Sequence, residues 1–148
     1  MRARVLAPAI ALALTSLPAV AATAAADPPY QLRHVHTGYC LGEDGGLVDT
    51  YRCDPKHEWH VSGDPGGMVF EDIASKRCLE VARNGRQVST SACDGAPVQR
   101  WALRGPGRSK GTLENTASHT CLSYDFRKVT AEPCDAAKGQ QQTWDVDG

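Results

Sequence analysis

The sequence predicts an all-β domain, built from three copies of one unit of roughly 40 residues and stapled by disulfides. A framework of cysteine, apolar and tryptophan positions recurs three times along the chain. The units are rich in Gly, Ser, Thr and Val, and their apolar residues alternate near the cysteines and tryptophans, which is typical of strands. The six cysteines include no Cys-x-x-Cys pair, which favours three disulfides over a zinc site.

The repeat is defined by seven positions that recur in segments 32–61, 70–103 and 113–146. Each copy has an apolar residue eight positions before its first cysteine and a leucine directly after that cysteine. A valine stands five positions before the second cysteine, and a closing tryptophan is followed two positions later by an apolar residue. The leucines after the first cysteines, the central valines and the tryptophans form the predicted core, namely Leu41, Leu79 and Leu122; Val48, Val88 and Val129; and Trp59, Trp101 and Trp144.

Three such units must share one core, because a unit of three or four short strands cannot bury its own apolar face. Closing the three copies on themselves also removes most exposed strand edges. WD40 blades have a similar repeat length, but three blades are too few to close a propeller, and the alternating apolar pattern excludes helical repeats. The Gly-rich stretches 63–67 and 105–107 fall between the units and are interpreted as linking turns.

The chain resembles the ricin B-chain-like lectin domains, whose Cys-Leu-Asp-Val and Gln-x-Trp signatures are similar to Cys40-Leu41, Cys78-Leu79-Glu80-Val81, Cys121-Leu122, Gln99-Arg100-Trp101 and Gln142-Thr143-Trp144. This resemblance implies a β-trefoil, a barrel of six strands capped by three hairpins, with pseudo-threefold symmetry. The first repeat departs from it with His57-Glu58-Trp59 in place of Gln-x-Trp. The resemblance also implies one disulfide within each repeat, namely Cys40–Cys53, Cys78–Cys93 and Cys121–Cys134, which places equivalent cysteines in equivalent positions.

The first 26 residues are predicted to be a signal peptide that is cleaved off. Arg2 and Arg4 precede an apolar stretch over residues 5–17, and the small residues 22–26 offer a cleavage site. A membrane anchor is the alternative, but the stretch is short for a spanning helix and no basic cluster follows it. The protein is therefore predicted to be secreted, with one domain over residues 27–148 and repeats near 30–62, 68–104 and 111–147.

The charge of the chain disfavours two classes of partner. It carries 16 Lys and Arg against 17 Asp and Glu, and removal of the two signal-peptide arginines leaves 14 against 17, a net charge of −3. A weakly acidic surface with no basic run argues against nucleic acid and anionic membranes. We therefore expect neither nucleic-acid binding nor insertion into a membrane.

The family resemblance implies a shallow sugar pocket in each repeat. An acidic residue two positions after the first cysteine would hold sugar hydroxyls, and an aromatic ring two positions before the second cysteine would stack on the sugar. No repeat has both residues, so the galactose-type pockets are predicted to be degenerate. In chain order the acidic positions hold Gly42, Glu80 and Ser123, and the ring positions hold Tyr51, Ser91 and Glu132.

The first repeat is the best candidate for a sugar site, with Tyr51 as the stacking ring and Asp44 or Asp49 as the acceptor of hydroxyl hydrogen bonds. Glu43 and Asp44 lie in a turn that Gly45-Gly46 allows to bend sharply. The alternative is that these acids are solvated turn residues and that Tyr51 is a strand residue half covered by its neighbours.

Three further features stay open at the level of sequence. Glu80 in the second repeat is a weaker candidate for hydroxyl binding, because it has no ring opposite. The rings and the carboxylate of residues 124–126 form either a contact surface or a cover for their hairpin. His34 and His36 alternate along one predicted strand face and could supply half of a metal site, although surface histidines explain them more simply.

No Gly-x-Ser-x-Gly or His-Glu-x-x-His motif is present, so we expect no enzymatic activity, no cofactor and no metal. The sequence predicts a secreted, lectin-like carbohydrate-binding module whose partner is a glycan or a polysaccharide. The alternative is a protein-interaction trefoil that acts as an adaptor, an inhibitor or a subunit of an extracellular assembly, with an extracellular protein as its partner. Fold by itself does not decide between these two functions.

Overall fold

The computed structural model describes residues 27–147, so the predicted signal peptide lies outside the described residues. Twelve strands follow one another in three groups of four. The first repeat contains β1 (Gln31–His34), β2 (Cys40–Asp44), β3 (Leu47–Tyr51) and β4 (Trp59–Ser62); the second contains β5 (Val69–Asp72), β6 (Arg77–Val81), β7 (Val88–Ala92) and β8 (Trp101–Arg104); the third contains β9 (Lys110–Asn115), β10 (Thr120–Tyr124), β11 (Val129–Pro133) and β12 (Trp144–Asp147).

Short helical turns precede the last strand of each repeat. They span Pro55–His57, Pro97–Gln99 and Ala136–Lys138, and the third continues into the single-turn helix α1 (Gly139–Gln142). In the part of the chain that the structure covers, no helix has the length and apolar character needed to span a membrane. The Gly-rich stretches between the repeats are connections outside the strands, as predicted.

The first and last strands of the three repeats form a closed barrel. β1 pairs with β12, β4 with β5 and β8 with β9, all antiparallel. The ring is completed by β9 with β12 and by the short bridges Tyr30↔Trp59 and Met68↔Trp101. The middle strands of each repeat form the hairpins β2–β3, β6–β7 and β10–β11. This architecture is the β-trefoil that the family resemblance implies.

The tryptophans and leucines of the predicted core are buried, as expected. They are all 0% exposed, and so are the three leading apolar residues, Leu32, Phe70 and Leu113. Each tryptophan donates its indole N–H to the carbonyl oxygen of the leucine in its own repeat, at 2.9 to 3.1 Å. The threefold recurrence of this bond fixes the indoles at equivalent places. Among the valines, Val48 departs from its equivalents because it is only half-buried.

Disulfides join Cys40 to Cys53, Cys78 to Cys93 and Cys121 to Cys134, one within each repeat. Each links the start of a hairpin to the segment just beyond its end, so each closes a short loop of chain. In the chain-entropy description a loop of this length contributes about 3 kcal/mol to stability.

Candidate functional site

The hairpin of the first repeat brings the predicted site residues onto one face. β2 and β3 pair with Cys40 opposite Tyr51, Gly42 opposite Asp49 and Asp44 opposite Leu47. Because side chains of an antiparallel pair alternate between faces, Asp44, Asp49 and Tyr51 project to the same side. The turn that joins the strands uses Gly45 and Gly46, with φ values of +59° and +90°, a region that favours glycine.

A cavity of about 260 Å³ opens beside this face. It collects an aromatic pair, two carboxylates and one ammonium group, together with a methyl group from the turn after β5. The lining residues are Glu43, Asp44, Tyr51, Lys56, His57 and Ala74. Of the predicted residues, Asp44 and Tyr51 line the cavity, whereas Asp49 lies on the same face outside the lining.

Tyr51 does not stand alone in this cavity. Its ring stacks on the imidazole of His57, with centroids 4.3 Å apart and planes inclined by 14°. His57 is only 4% exposed, and its Nδ1 atom has no hydrogen-bond partner among residues 27–147. One face of the Tyr51 ring is therefore covered by protein, in keeping with a half-covered strand residue, while its remaining surface borders the cavity.

Gly42 explains how the two rings fit together. A Cβ atom at this position would lie 2.3 Å from His57 Nδ1 and 2.8 Å from Tyr51 Cδ2, distances that no side chain could keep. The space that the family's acidic side chain would enter is thus filled by the aromatic pair. The two departures of the first repeat are therefore sterically linked: His57, which stands in place of the Gln-x-Trp glutamine, fits only because Gly42 has no side chain.

The other two repeats show what the replaced glutamine does. The Gln99 side chain accepts the Asp94 N–H at 3.0 Å and donates to the Ala92 carbonyl oxygen at 2.8 Å. Gln142 makes the equivalent two bonds in the third repeat, at 3.0 Å each. Both glutamines are 0% exposed, so their role is to brace the segment after the second cysteine.

Three carboxylates act on the Tyr51 hydroxyl. Burial raises the pKa of the Tyr51 hydroxyl above its usual range, and the carboxylates of Asp49, Asp44 and Glu43 raise it further by disfavouring the phenolate. Glu43 also accepts hydrogen bonds from the Gly46 N–H and, at 3.4 Å, from the Thr90 hydroxyl. Tyr51 is therefore a neutral hydrogen-bond donor at neutral pH, with acceptors close to it.

Glu80 in the second repeat is committed to internal bonds. Its Oε2 accepts the Ser91 hydroxyl at 2.6 Å and the Gln99 side-chain N–H at 3.2 Å. The serine at the family's ring position thus binds the very carboxylate that would have held a sugar. The second repeat has an acidic residue in the expected place, but the acid stabilises the loop.

The third repeat has a different arrangement. Ser123 is 1% exposed, and Glu132 forms an ion pair with Arg86 of the second repeat at 2.9 Å. The hydrogen bond from Arg86 holds the pKa of Glu132 below its usual range. Tyr124 is buried, whereas the Phe126 ring is 45% exposed at the hairpin tip and packs edge-on against His34. Phe126 thus both covers its neighbours and remains accessible.

The interpretation of His34 as a surface histidine is wrong. Its side chain is 0% exposed, packs edge-on against Trp144 and Tyr124, and has its Nε2 atom 3.3 Å from the Gln141 carbonyl oxygen. β1 ends at His34, so His36 lies in the following turn and not on the same strand. Between residues 27 and 147, the only three-residue group with metal-ligand geometry contains Cys78 and Cys93, which are joined in a disulfide.

Sequence reasoning missed two parts of the first-repeat cavity. In the sequence, His57 stands out only as a departure from the Gln-x-Trp signature, and Lys56 is not among the predicted site residues. Their placement beside Tyr51 depends on the turn Pro55–His57, where the Asp54 side chain accepts the Lys56 N–H at 2.9 Å. The run Asp-Pro-Lys-His after Cys53 carried a usable signal, because Asp followed by Pro begins such turns.

Solved structures with this fold span a wide range of sequences. The designed threefold-symmetric protein ThreeFoil superposes with a TM-score of 0.71 at 20% identity, covering 81% of this chain and 98% of ThreeFoil. The cytolethal distending toxin of Actinobacillus actinomycetemcomitans gives 0.69 at 16% identity, covering 80% of this chain and 90% of the toxin chain. SeviL bound to asialo-GM1 saccharide gives 0.64 at 16% identity, with 80% and 94% coverage.

At the level of sequence, no curated protein matches the chain. The family model of the ricin-type beta-trefoil lectin domain matches residues 65–148, more than half of the chain, and takes in the second and third repeats. The first repeat lies outside that match. It is also the repeat in which Gly42 and His57 replace the residues that the motifs require. With its barrel, its three hairpins and this match, the chain belongs to the ricin-type beta-trefoil lectin domain family.

Proposed function

We propose that the protein is a secreted carbohydrate-binding module whose sugar site is the cavity of the first repeat. The observation that carries this proposal is the placement of Tyr51 and Asp44 on the lining of one cavity, with Lys56 beside them. An aromatic surface next to charged acceptors and a donor is the combination that recognises a sugar, which has an apolar C–H face and a rim of hydroxyls.

Each lining residue has a proposed role that follows from its chemistry. The exposed part of the Tyr51 ring covers the C–H face of the sugar, and its hydroxyl donates a hydrogen bond. The Asp44 carboxylate accepts hydrogen bonds from hydroxyl groups, with Asp49 adjacent on the same face. Lys56, whose side chain is 70% exposed and 3.9 Å from Asp54, also lines the cavity and donates hydrogen bonds to the sugar.

The binding mode proposed here differs from that of a galactose-type pocket. The stacked rings of Tyr51 and His57 fill the space next to Gly42, so a sugar cannot be held by an acid at that position. A ligand would instead be held from the hairpin turn, by Asp44. We expect a shallow site of modest affinity, which gains strength when the ligand is a polymer or a dense array of glycans.

Secretion and the lack of catalysis belong to the same proposal. Three disulfides are typical of proteins that fold in an oxidising compartment, which supports export. Every carboxylate in the first-repeat cavity serves the hairpin turn or faces Tyr51, and we assign none of them an acid–base role. The module is proposed to bind its ligand without changing it.

Two similar structures add support from their own ligands and substrates. SeviL was solved with a bound asialo-GM1 saccharide. The exo-β-1,3-galactanase 1,3Gal43A of Clostridium thermocellum contains a similar region, in which 30% of the enzyme is covered by 82% of this chain at 14% identity, with a TM-score of 0.67. These are properties of distant proteins, and for this chain they favour a glycan as the ligand.

The test is a titration against the glycan that a carbohydrate array selects, with three single variants. Tyr51→Ala removes the proposed platform and should abolish most binding. Phe126→Ala removes an exposed ring of the third repeat as a matched control, and Glu80→Ala removes the internally bonded acid. Full affinity in Tyr51→Ala would refute this site, and loss in Glu80→Ala would move it to the second repeat. Thermal melts check that each variant is folded.

A protein partner is the second candidate function. Leu47 at the first hairpin is 71% exposed and Phe126 at the third is 45% exposed, so both apolar side chains are accessible to a protein partner. Recovery of one stoichiometric protein from culture medium, lost in Leu47→Ser and kept in Tyr51→Ala, would favour this function. Binding to isolated polysaccharide would favour the sugar.

A further inference from the structure

The hairpin tips of the second and third repeats concentrate positive charge. The β6–β7 tip carries Arg83 and Arg86, and the β10–β11 tip carries Arg127 and Lys128, all four exposed. The β2–β3 tip of the first repeat is acidic instead, with Glu43 and Asp44. Although the predicted mature chain is weakly acidic as a whole, one part of this surface is therefore basic.

The two basic tips are held side by side by the backbone. The Ala131 N–H donates to the Arg86 carbonyl oxygen at 2.8 Å, and Gln87 pairs with Thr130 in a short bridge. The Arg86 guanidinium also binds the Glu132 carboxylate through one nitrogen, Nη2, at 2.9 and 3.2 Å. These bonds hold the two tips next to each other, so the tips are not two independent loops.

Each tip is also rigid in itself, through the same device. The Asn84 side-chain oxygen accepts the backbone N–H groups of Arg86 and Gln87, both at 3.0 Å. The Asp125 carboxylate does the same for Arg127 and Lys128, at 3.0 and 2.9 Å. The acid of the third tip is thereby used within its own turn, and the backbone that carries the basic side chains is pre-organised.

A cavity of about 430 Å³ lies between the tips. Its lining combines two cationic side chains with amide and hydroxyl groups, namely Asn84, Arg86, Gln87, Lys128, Val129 and Thr130. Since its bonds to Glu132 come from Nη2 alone, Arg86 keeps the donors of its other nitrogens for a ligand. Amides and hydroxyls suit sugar hydroxyl groups, while the cations suit an acid group on the same molecule.

We propose that the adjoining hairpin tips of the second and third repeats form a binding site for an anionic polysaccharide. Four cations spread over two tips match a chain that carries an acid group on successive sugars better than they match one small anion. At physiological ionic strength charges interact over about 8 Å, so the local charge of the tips outweighs the net charge of the domain. The acidic tip of the first repeat repels such a ligand. An anionic polysaccharide should therefore bind at the basic tips and not in the cavity at Tyr51.

The test uses a double variant and a matched control of equal charge change. Arg83→Ser with Lys128→Ser removes one cation from each tip and leaves the Arg86–Glu132 ion pair in place. Arg33→Ser with Arg108→Ser removes two exposed cations outside the tips. Binding is titrated against heparin, a sulfated polysaccharide, and against alginate, a polyuronate, with dextran as the neutral polysaccharide and duplex DNA as a polyanion without sugar acids.

The wild type should bind heparin, alginate or both, and should bind dextran far more weakly. The affinity of the tip variant should fall by about tenfold or by a larger factor, and it should depend less steeply on salt. Binding to heparin alone would identify sulfate as the recognised group, and binding to alginate alone would identify carboxylate. Equal losses in both double variants, no binding at about 50 mM salt, or DNA binding as tight as polysaccharide binding would each overturn the proposal. Melting temperatures verify folding.

Discussion

Asp72 occupies a place in the fold that can be read from its two equivalents. His34, Asp72 and Asn115 each stand two positions after the leading apolar residue of their repeat, and all are at most 1% exposed. The Asn115 side chain donates to the Val98 carbonyl oxygen of the preceding repeat at 2.7 Å, and His34 approaches the Gln141 carbonyl oxygen at 3.3 Å. At Asp72 no such donor exists.

The Asp72 carboxylate is satisfied on one side only. Its Oδ1 accepts the Ala74 and Ser75 N–H groups at 3.1 and 2.7 Å, whereas Oδ2 is buried and has no hydrogen-bond partner within the described residues. Since Val98 and Gln141 stand three positions before their tryptophans, we expect Oδ2 to face the carbonyl oxygen of the equivalent residue, Lys56. Asp72→Asn keeps the acceptor and places an N–H donor toward that carbonyl, as in Asn115. We expect a gain of about 1–3 kcal/mol in unfolding free energy.

Urea unfolding with the disulfides intact measures this gain directly, and the melting temperature should rise by roughly 5 °C or more. The reciprocal change Asn115→Asp removes the equivalent donor and should cost about as much, on the order of 1–3 kcal/mol. If Asp72→Asn is no more stable than the wild type, Oδ2 is already satisfied and the equivalence with Asn115 does not extend to this oxygen.

Three further changes test the core, the glycine and the buried histidine. Trp101→Ala should cost about 3–5 kcal/mol in chemical unfolding, and an unchanged melting temperature would contradict its place in the core. Gly42→Ala should cost about 1–3 kcal/mol, because its Cβ meets His57, while Gly107→Ala serves as a control with ordinary contact distances and should be nearly neutral. Burial lowers the pKa of His34 in the folded protein. As the pH falls, the unfolded chain therefore binds a proton at this histidine before the folded protein does. Stability should therefore decline from about pH 6.5 downward, and His34→Asn should remove part of this decline, as melting curves across that range would show.

The repeat was predictable from sequence because burial imposes the same demand on equivalent positions. The leucine after the first cysteine and the tryptophan near the end of each unit are fully buried in a shared core, and the same two residues recur in all three repeats. Val48 is the exception among the three central valines, since β3 belongs to the first hairpin, where Glu43 replaces the apolar Val81 and Tyr124 of the other repeats.

The site was harder to predict because it depends on side-chain rearrangements and on contacts between repeats. The stacking of His57 on Tyr51 follows from the lack of a side chain at Gly42, and no single position signals it. His34 was placed on the surface because histidine usually lies there, although its alignment with Asp72 and Asn115 points to a buried role. The basic tips were not predicted from the sequence because each tip supplies only two cations, and about 40 residues of chain separate the two tips.

The pairing of β1 with β12 determines how the domain unfolds. Leu32 lies opposite Val146, so the barrel closes between the strands that are farthest apart in sequence. Open solenoids can lose a terminal repeat and keep the rest, but a ring has no terminal repeat to lose. Detachment of β1 or β12 would expose the barrel strands on both sides of it. The three dissimilar repeats should therefore melt in a single transition. Closure over nearly the whole described chain also gives the fold a high contact order, which makes slow folding the expected cost of this cooperativity.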